Sequence, residues 1–143
     1  MTVKAILSKK GTDVLTIEPT KKLSDATRLL AEHAIGALVV TGADRRIVGI
    51  LSERDVVRVL GEKGPSALDT PIAEVMTRKV TTCSMRDTIA ELMERMTEGK
   101  FRHVPVVDDG RLAGIVSIGD VVKWRVHEIE DESAALRDYI RTA

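Results

Sequence analysis

Aromatic side chains are almost missing from this sequence: Phe101, Trp124 and Tyr139 are the three among 143 residues. Few platforms are left on which single-stranded bases could stack, and any core has to be aliphatic. The one cysteine, Cys83, cannot close an internal disulfide and suits a reducing compartment. Neither sign of charge prevails, with 22 basic against 22 acidic side chains, so no net field draws in nucleic acid or a membrane surface. No apolar run approaches spanning length, and Lys4, Lys9 and Lys10 are not followed by the apolar stretch of a signal peptide. A soluble, cytoplasmic protein is expected. His33, His103 and His127 lie too far apart for a local metal motif and have no cysteine partners. Neither a Rossmann fingerprint nor a P-loop occurs, and no acid–base pair stands out. The expectation is a protein with no catalytic residues, no metal and no catalytic cofactor.

What is present is a sentence written twice. Gly49-Ile50-Leu51-Ser52-Glu53-Arg54-Asp55 returns 65 residues later as Gly114-Ile115-Val116-Ser117-Ile118-Gly119-Asp120. Each copy is a short apolar run opened by glycine and closed by Ser-x-x-Asp, with a helical pattern behind it. The echo covers most of the chain. Ile72–Met76 answers Val3–Leu7, and Val80–Cys83 answers Val14–Ile17 at an offset of 66. That offset also pairs Leu23 with Ile89, Ala26 with Leu92, Leu30 with Met96 and Val40 with Val106; a hairpin turn one residue shorter in the second copy then reduces it to 65.

Within each copy the pattern predicts a short strand, an amphipathic helix, a hairpin and a second helix. Ser24 or Asp25 is expected to cap the first such helix, Gly61–Thr70 to act as a linker, and Thr70-Pro71 to start the next helix. Each half is marginal alone, so the two are expected to dock face to face around one core.

The strand, the helix, the hairpin Val104 to Ile115 (Val-Pro-Val-Val-Asp-Asp-Gly-Arg-Leu-Ala-Gly-Ile) and the closing Ser-x-x-Asp resemble the cystathionine-β-synthase (CBS) domain. The resemblance spans both halves up to about Trp124 and implies one CBS pair, a Bateman module. The implied fold is α+β: tandem β-α-β-β-α repeats packed pseudo-two-fold through their sheets, at 8–64 and 76–132, with a long C-terminal helix over 121–141. It further implies binding of an adenosine-containing ligand (AMP, ADP, ATP, NAD or S-adenosylmethionine) in clefts between the repeats. By that resemblance the closing Asp holds the ribose hydroxyls, the Ser sits near phosphate, and the first and middle strands sandwich adenine. The residues so designated are Thr16, Ile17, Ala37, Leu38, Ser52 and Asp55 in the first half. In the second they are Thr82, Cys83, His103, Val104, Pro105, Ser117 and Asp120.

Elementary chemistry supports two readings of the closing motif. A carboxylate accepts two hydrogen bonds from a vicinal diol, and a helix start offers N–H groups to an anion. Ser-x-x-Asp is equally a capping box, in which the acid reaches back to the N-cap amide. The two halves also differ in charge. Arg102 and His103 lead into the second hairpin where the first has Gly36 and Ala37, while Arg54 stands in the first motif where the second has Gly119. Arginine forks suit phosphate. Arg54, Arg102 and His103 are therefore expected to share a phosphate zone, with the second cleft better equipped; the plain alternative is a solvated strand end.

Beyond Asp120 the helical pattern continues as Val122, Val126, Ile129, Ser133, Leu136 and Ile140, spaced 4-3-4-3-4. Such a helix either covers its own domain or joins a homodimer. The functional expectation is a regulatory sensor of an adenine nucleotide that signals in trans, through an unknown protein effector or its own assembly. The rival readings are a ligand-free CBS scaffold dimer, an enzyme acting on the nucleotide, and a nucleic-acid binder.

Overall fold

A computed structural model describes residues 1–142. The chain begins with helix α1 (Val3–Lys10), strand β1 (Thr16–Ile17) and helix α2 (Leu23–His33). The hairpin β2 (Ala37–Thr41) and β3 (Ile47–Ser52) follows, then helix α3 (Glu53–Lys63) and a 3-10 stretch, Gly64–Asp69. The second half runs α4 (Ile72–Val75), α5 (Ile89–Gly99), hairpin β4 (His103–Asp108) and β5 (Arg111–Ser117), and α6 (Ile118–Thr142).

In the first half β1 lies parallel to β2, with Thr16 opposite Val39, and β3 returns antiparallel. The second half repeats the hairpin, but its leading strand is reduced to one parallel bridge, Cys83 opposite Val106. Thr81 and Thr82 are exposed, so the β-branched run Val80–Cys83 lacks the buried alternation that would hold it in the sheet.

Two cores form where one was expected. Leu38, Val40 and Leu51 pack with Leu23, Ala26 and Leu30 of α2 and with Val56 and Val59 of α3. Val104, Val106 and Val116 pack with Ile89, Leu92 and Met96 of α5 and with Val121 of α6. Strand alternation turns Ala37, Val39 and Pro105 to the opposite faces, where they too are buried. The halves touch through the first hairpin's turn and α3: Arg45 Nε donates to Leu112 O, Arg111 pairs with Asp44 at 2.8 Å, and Arg54 Nη1 donates to Lys100 O.

The two short leading helices are exchanged between the halves. Val3, Ile6 and Leu7 of α1 sit in the second core, whereas Ile72 and Val75 of α4 sit in the first. The backbone contacts match pairwise: Val3 N–H donates to Asp87 O and Ile89 N–H to Met1 O, as Ile72 N–H donates to Lys21 O and Leu23 N–H to Thr70 O. This exchange explains the glycine that opens each copied sentence. A Cβ at Gly49 would lie 2.5 Å from Met76 Sδ, and one at Gly114 would lie 2.8 Å from Leu7 Cδ1. The crossing segment needs the space that a side chain would fill.

Local details depart from the sequence reading in three places. Helix α2 is capped at Lys22, whose N–H donates to Asp25 Oδ2; Asp25 is thus the reaching acid of the first turn and not the cap. Pro71 itself is the cap of α4. The stretch read as a linker contains the 3-10 turn and buries Ala67 completely.

Candidate functional site at the closing helices

Both Ser-x-x-Asp motifs form complete capping boxes. Ser52 N–H donates to Asp55 Oδ2 at 2.9 Å while Asp55 N–H donates to Ser52 Oγ at 3.3 Å. Ser117 N–H and Asp120 N–H repeat this with Asp120 Oδ2 and Ser117 Oγ at 2.9 and 3.2 Å. The serine hydroxyls add bonds to the same carboxylate oxygens.

The exchanged segments make the two carboxylates unequal. Asp55 is only 6 % exposed, and its second oxygen, Oδ1, accepts from Thr77 Oγ1 at 3.3 Å and lies 3.4 Å from Arg58 Nη1. Asp120 is half-buried. Lys10, at the end of α1, places its Nζ 2.6 Å from Asp120 Oδ2 and 2.9 Å from Ile115 O. Among the described residues Asp120 Oδ1 has no hydrogen-bond partner, so it remains able to accept from an incoming hydroxyl.

Burial alone would raise the Asp120 carboxyl, but the hydrogen bonds from Lys10 and Ser117 outweigh it and hold the group below the usual carboxylate range. His103 lies across from the first half, against Gly36 and Glu53. Burial, aided by the charges of Lys10 and Arg102 against those of Glu53 and Asp120, pushes its imidazole below the ordinary value. The charges of Lys10, Arg102, Glu53 and Asp120 thus all act on His103 at one end of the second hairpin. Arg54 reaches toward that end through its bond to Lys100 O.

The other designated residues divide by strand face. Thr16 is half-buried and Thr82 exposed, while Ala37 and Pro105 are buried on the faces turned away from the cores. Ile17, Leu38, Cys83 and Val104 point into the cores and can offer a ligand only backbone groups. Lys10 is the residue that sequence reasoning missed; it precedes Asp120 by 110 positions, and only the exchange of α1 brings the two together.

Two of the cavities among the described residues lie elsewhere. One of about 750 Å³ opens at the far end of β2, lined by Glu18, Lys21, Arg28 and Thr41 together with Thr16 and Ile17. Another of about 330 Å³ lies between the halves, lined by Arg46, Arg78, Thr82 and Val107 among others. Neither is lined by Asp55 or Asp120.

Burial, reinforced by the nearby Asp87 charge, pushes the Cys83 thiol up to about 12. It should therefore stay unmodified by iodoacetamide at neutral pH in the folded chain and react on denaturation; labelling at equal rates in both states would refute its placement in the core. Among the described residues no three His, Cys, Asp or Glu side chains gather to hold a metal, and no helix is long and apolar enough to cross a membrane.

A duplicated sheet-and-helix unit, each copy closed by a carboxylate at a helix start, defines a tandem α+β repeat protein. The CBS domain model matches residues 3–62 and 72–127, and the chain belongs to the CBS-domain family. It is 37 % identical over 121 residues to the mitochondrial CBS domain-containing protein CBSX3 of Arabidopsis thaliana, covering 82 % of this chain and 59 % of that one. This chain thus spans somewhat over half the length of that relative. Its fold matches the crystal structure of a CBS-domain containing protein from Agrobacterium tumefaciens with a TM-score of 0.85 and 47 % identity, over 87 % of this chain and 99 % of the other. It also matches the CBS domain pair of protein MJ0100 in complex with 5′-methylthioadenosine and S-adenosyl-L-methionine, with a TM-score of 0.79 and 26 % identity, over 90 % and 98 % of the two chains.

Proposed function

We propose that this chain is a regulatory module that binds a phosphorylated adenosine ligand (AMP, ADP, ATP or NAD) at the second closing helix and reports it through a partner or its own assembly. The supporting observation is Asp120: half-buried, held below the usual carboxylate range, with one oxygen free and Lys10 bound to the other, beside a His103 that feels the charges of Lys10, Arg102 and Asp120. The free oxygen suits a ribose hydroxyl, and the Lys10 ammonium and Arg102 guanidinium suit phosphate, with the imidazole of His103 as a hydrogen-bonding neighbour. The CBS pair of MJ0100 carries adenosyl ligands without phosphate; the Lys10 and Arg102 side chains here favour an anionic relative of them over a sulfonium cation. Signalling follows from population shift, the ligand preferring one arrangement of the halves.

A ligand-free scaffold is the competing reading, favoured by both capping boxes being complete without a ligand and by the Lys10–Asp120 pair. Thermal-shift titration with AMP, ADP, ATP, NAD and S-adenosylmethionine decides between them. Stabilisation by at least one phosphorylated member is expected, because binding to the folded state must raise its stability. A flat response to the whole panel at millimolar ligand leaves the scaffold reading standing and removes ours.

A further inference from the structure

The cavity of about 750 Å³ at the far end of β2 has no part in the nucleotide reading, since neither closing Asp lines it. Its charged lining comes from two short stretches of chain. Glu18 and Lys21 belong to the turn between β1 and α2, and Asp25 and Arg28 to the first turns of α2. In each stretch a cation stands three positions after an acid, a spacing that sets helical neighbours on one face. Elsewhere that spacing closes into ion pairs, Asp55 with Arg58 and Arg125 with Glu128. Here it does not: among the described residues Glu18, Lys21, Asp25 and Arg28 take part in no ion pair. Asp25 Oδ2 accepts from Lys22 N–H, and Oδ1 has no partner.

The second copy shows that the fold does not require this arrangement. At the offset of 66, Asp87 stands for Lys21 and Arg95 for Leu29. Those two close on each other at 3.0 Å, and Asp87 also accepts from Ser84 N–H. The first copy holds its charges apart around an open volume, on a wall that is already fixed. Lys21 N–H donates to Glu18 O, and α4 grips the same turn through Ile72 N–H to Lys21 O and Ala73 N–H to Pro19 O. A ligand need not order these groups. A lone anion would face two carboxylates and a lone cation two basic groups; a molecule carrying both charges satisfies all four. Pro19 and Leu29, both half-buried, add apolar surface to the lining. We infer that this cavity binds an α-amino-acid zwitterion, free or as a short peptide. Its carboxylate meets Lys21 and Arg28, its ammonium meets Glu18 and Asp25, and an apolar side chain lies against Pro19 and Leu29. The volume falls within the range of about 300–1,000 Å³ that encloses small-molecule ligands. The inference is independent of the nucleotide, so its failure leaves that reading untouched.

Amide chemical-shift mapping on the full chain tests it, with leucine and trileucine as separate probes at millimolar concentration. Shifts should cluster in 16–29 and 41–43 and spare 117–120. A response to leucine identifies the free amino acid as ligand, and a response to trileucine alone identifies the peptide. Trileucine blocked by acetyl and amide groups should produce no shift. Lys21→Asp with Leu29→Arg installs the ion pair of the second copy and should abolish the response. Arg28→Ala changes an exposed side chain, so its fold is spared, and should weaken binding roughly tenfold, the loss of one charge-assisted bond. A flat response to both probes, an equal response to the blocked peptide, unchanged affinity in Arg28→Ala, or displacement of the probe by AMP each overturns the inference.

Discussion

Ile6→Ala should destabilise the chain by about 2–5 kcal/mol, the cost of truncating a fully buried aliphatic side chain in a core that cannot collapse around the gap. The informative part is where the damage falls. Ile6 precedes the first sheet in sequence, yet its neighbours are the buried side chains of α5, β4 and β5. Amide protection should therefore fall first in 89–117 and only later in 37–60. Val75→Ala is the converse test, since Val75 belongs to the second copy in sequence and to the first core in space. Chemical denaturation gives the magnitude and hydrogen exchange the location. A loss below about 1 kcal/mol for Ile6→Ala, or first loss of protection in 37–60, would show that the helices are not exchanged.

That exchange marks the limit of what the residues could disclose. Hydrophobic periods of 2 and 3.6 announced the hairpins and helices, and the offset of 66 announced their duplication, because both are properties of neighbours in sequence. An apolar stripe on α1 says only that some surface covers it. Two equivalent surfaces exist in a duplicated fold, and nothing in Val3-Lys-Ala-Ile-Leu7 selects between them. The capping boxes were legible for the same local reason, Ser and Asp standing three apart. The third partner of each Asp was not: Thr77 and Lys10 arrive on the exchanged segments, 22 positions after Asp55 and 110 before Asp120. Gly49 and Gly114 were visible as repeats, but their purpose emerged only once Met76 and Leu7 lay across them. The expected ranking of the two clefts rested on Arg102 and His103; the geometry adds a separate reason for it, the free oxygen of Asp120 against the saturated Asp55.

Asp55→Ala and Asp120→Ala should separate stability from binding. Asp55 is buried and serves donors from Ser52 and Thr77, with Arg58 alongside. Removing it leaves the half-buried Ser52 N–H and hydroxyl and the Thr77 hydroxyl without their acceptor, which together with loss of the cap should cost about 1–3 kcal/mol. Asp120→Ala should cost less, about 1 kcal/mol of capping, because the Lys10 ammonium it releases is itself able to reach water. For ligand the order reverses. A charge-assisted bond to a ribose hydroxyl contributes about 1.5–3 kcal/mol, so Asp120→Ala should weaken the tightest phosphorylated adenosine ligand by roughly 10- to 150-fold, and Asp55→Ala hardly at all. The acid side of the profile follows in sign. Asp120 is held below the ordinary carboxylate value, so its stabilising contribution is complete above that value and is lost as pH falls through the depressed one. Asp120→Asn should remove that part of the acid dependence. Calorimetric titration of both alanine variants, beside denaturation of each, decides the matter. Equal loss of affinity in the two would place the ligand at both closing helices, and unchanged affinity in Asp120→Ala would remove the second cleft as its site.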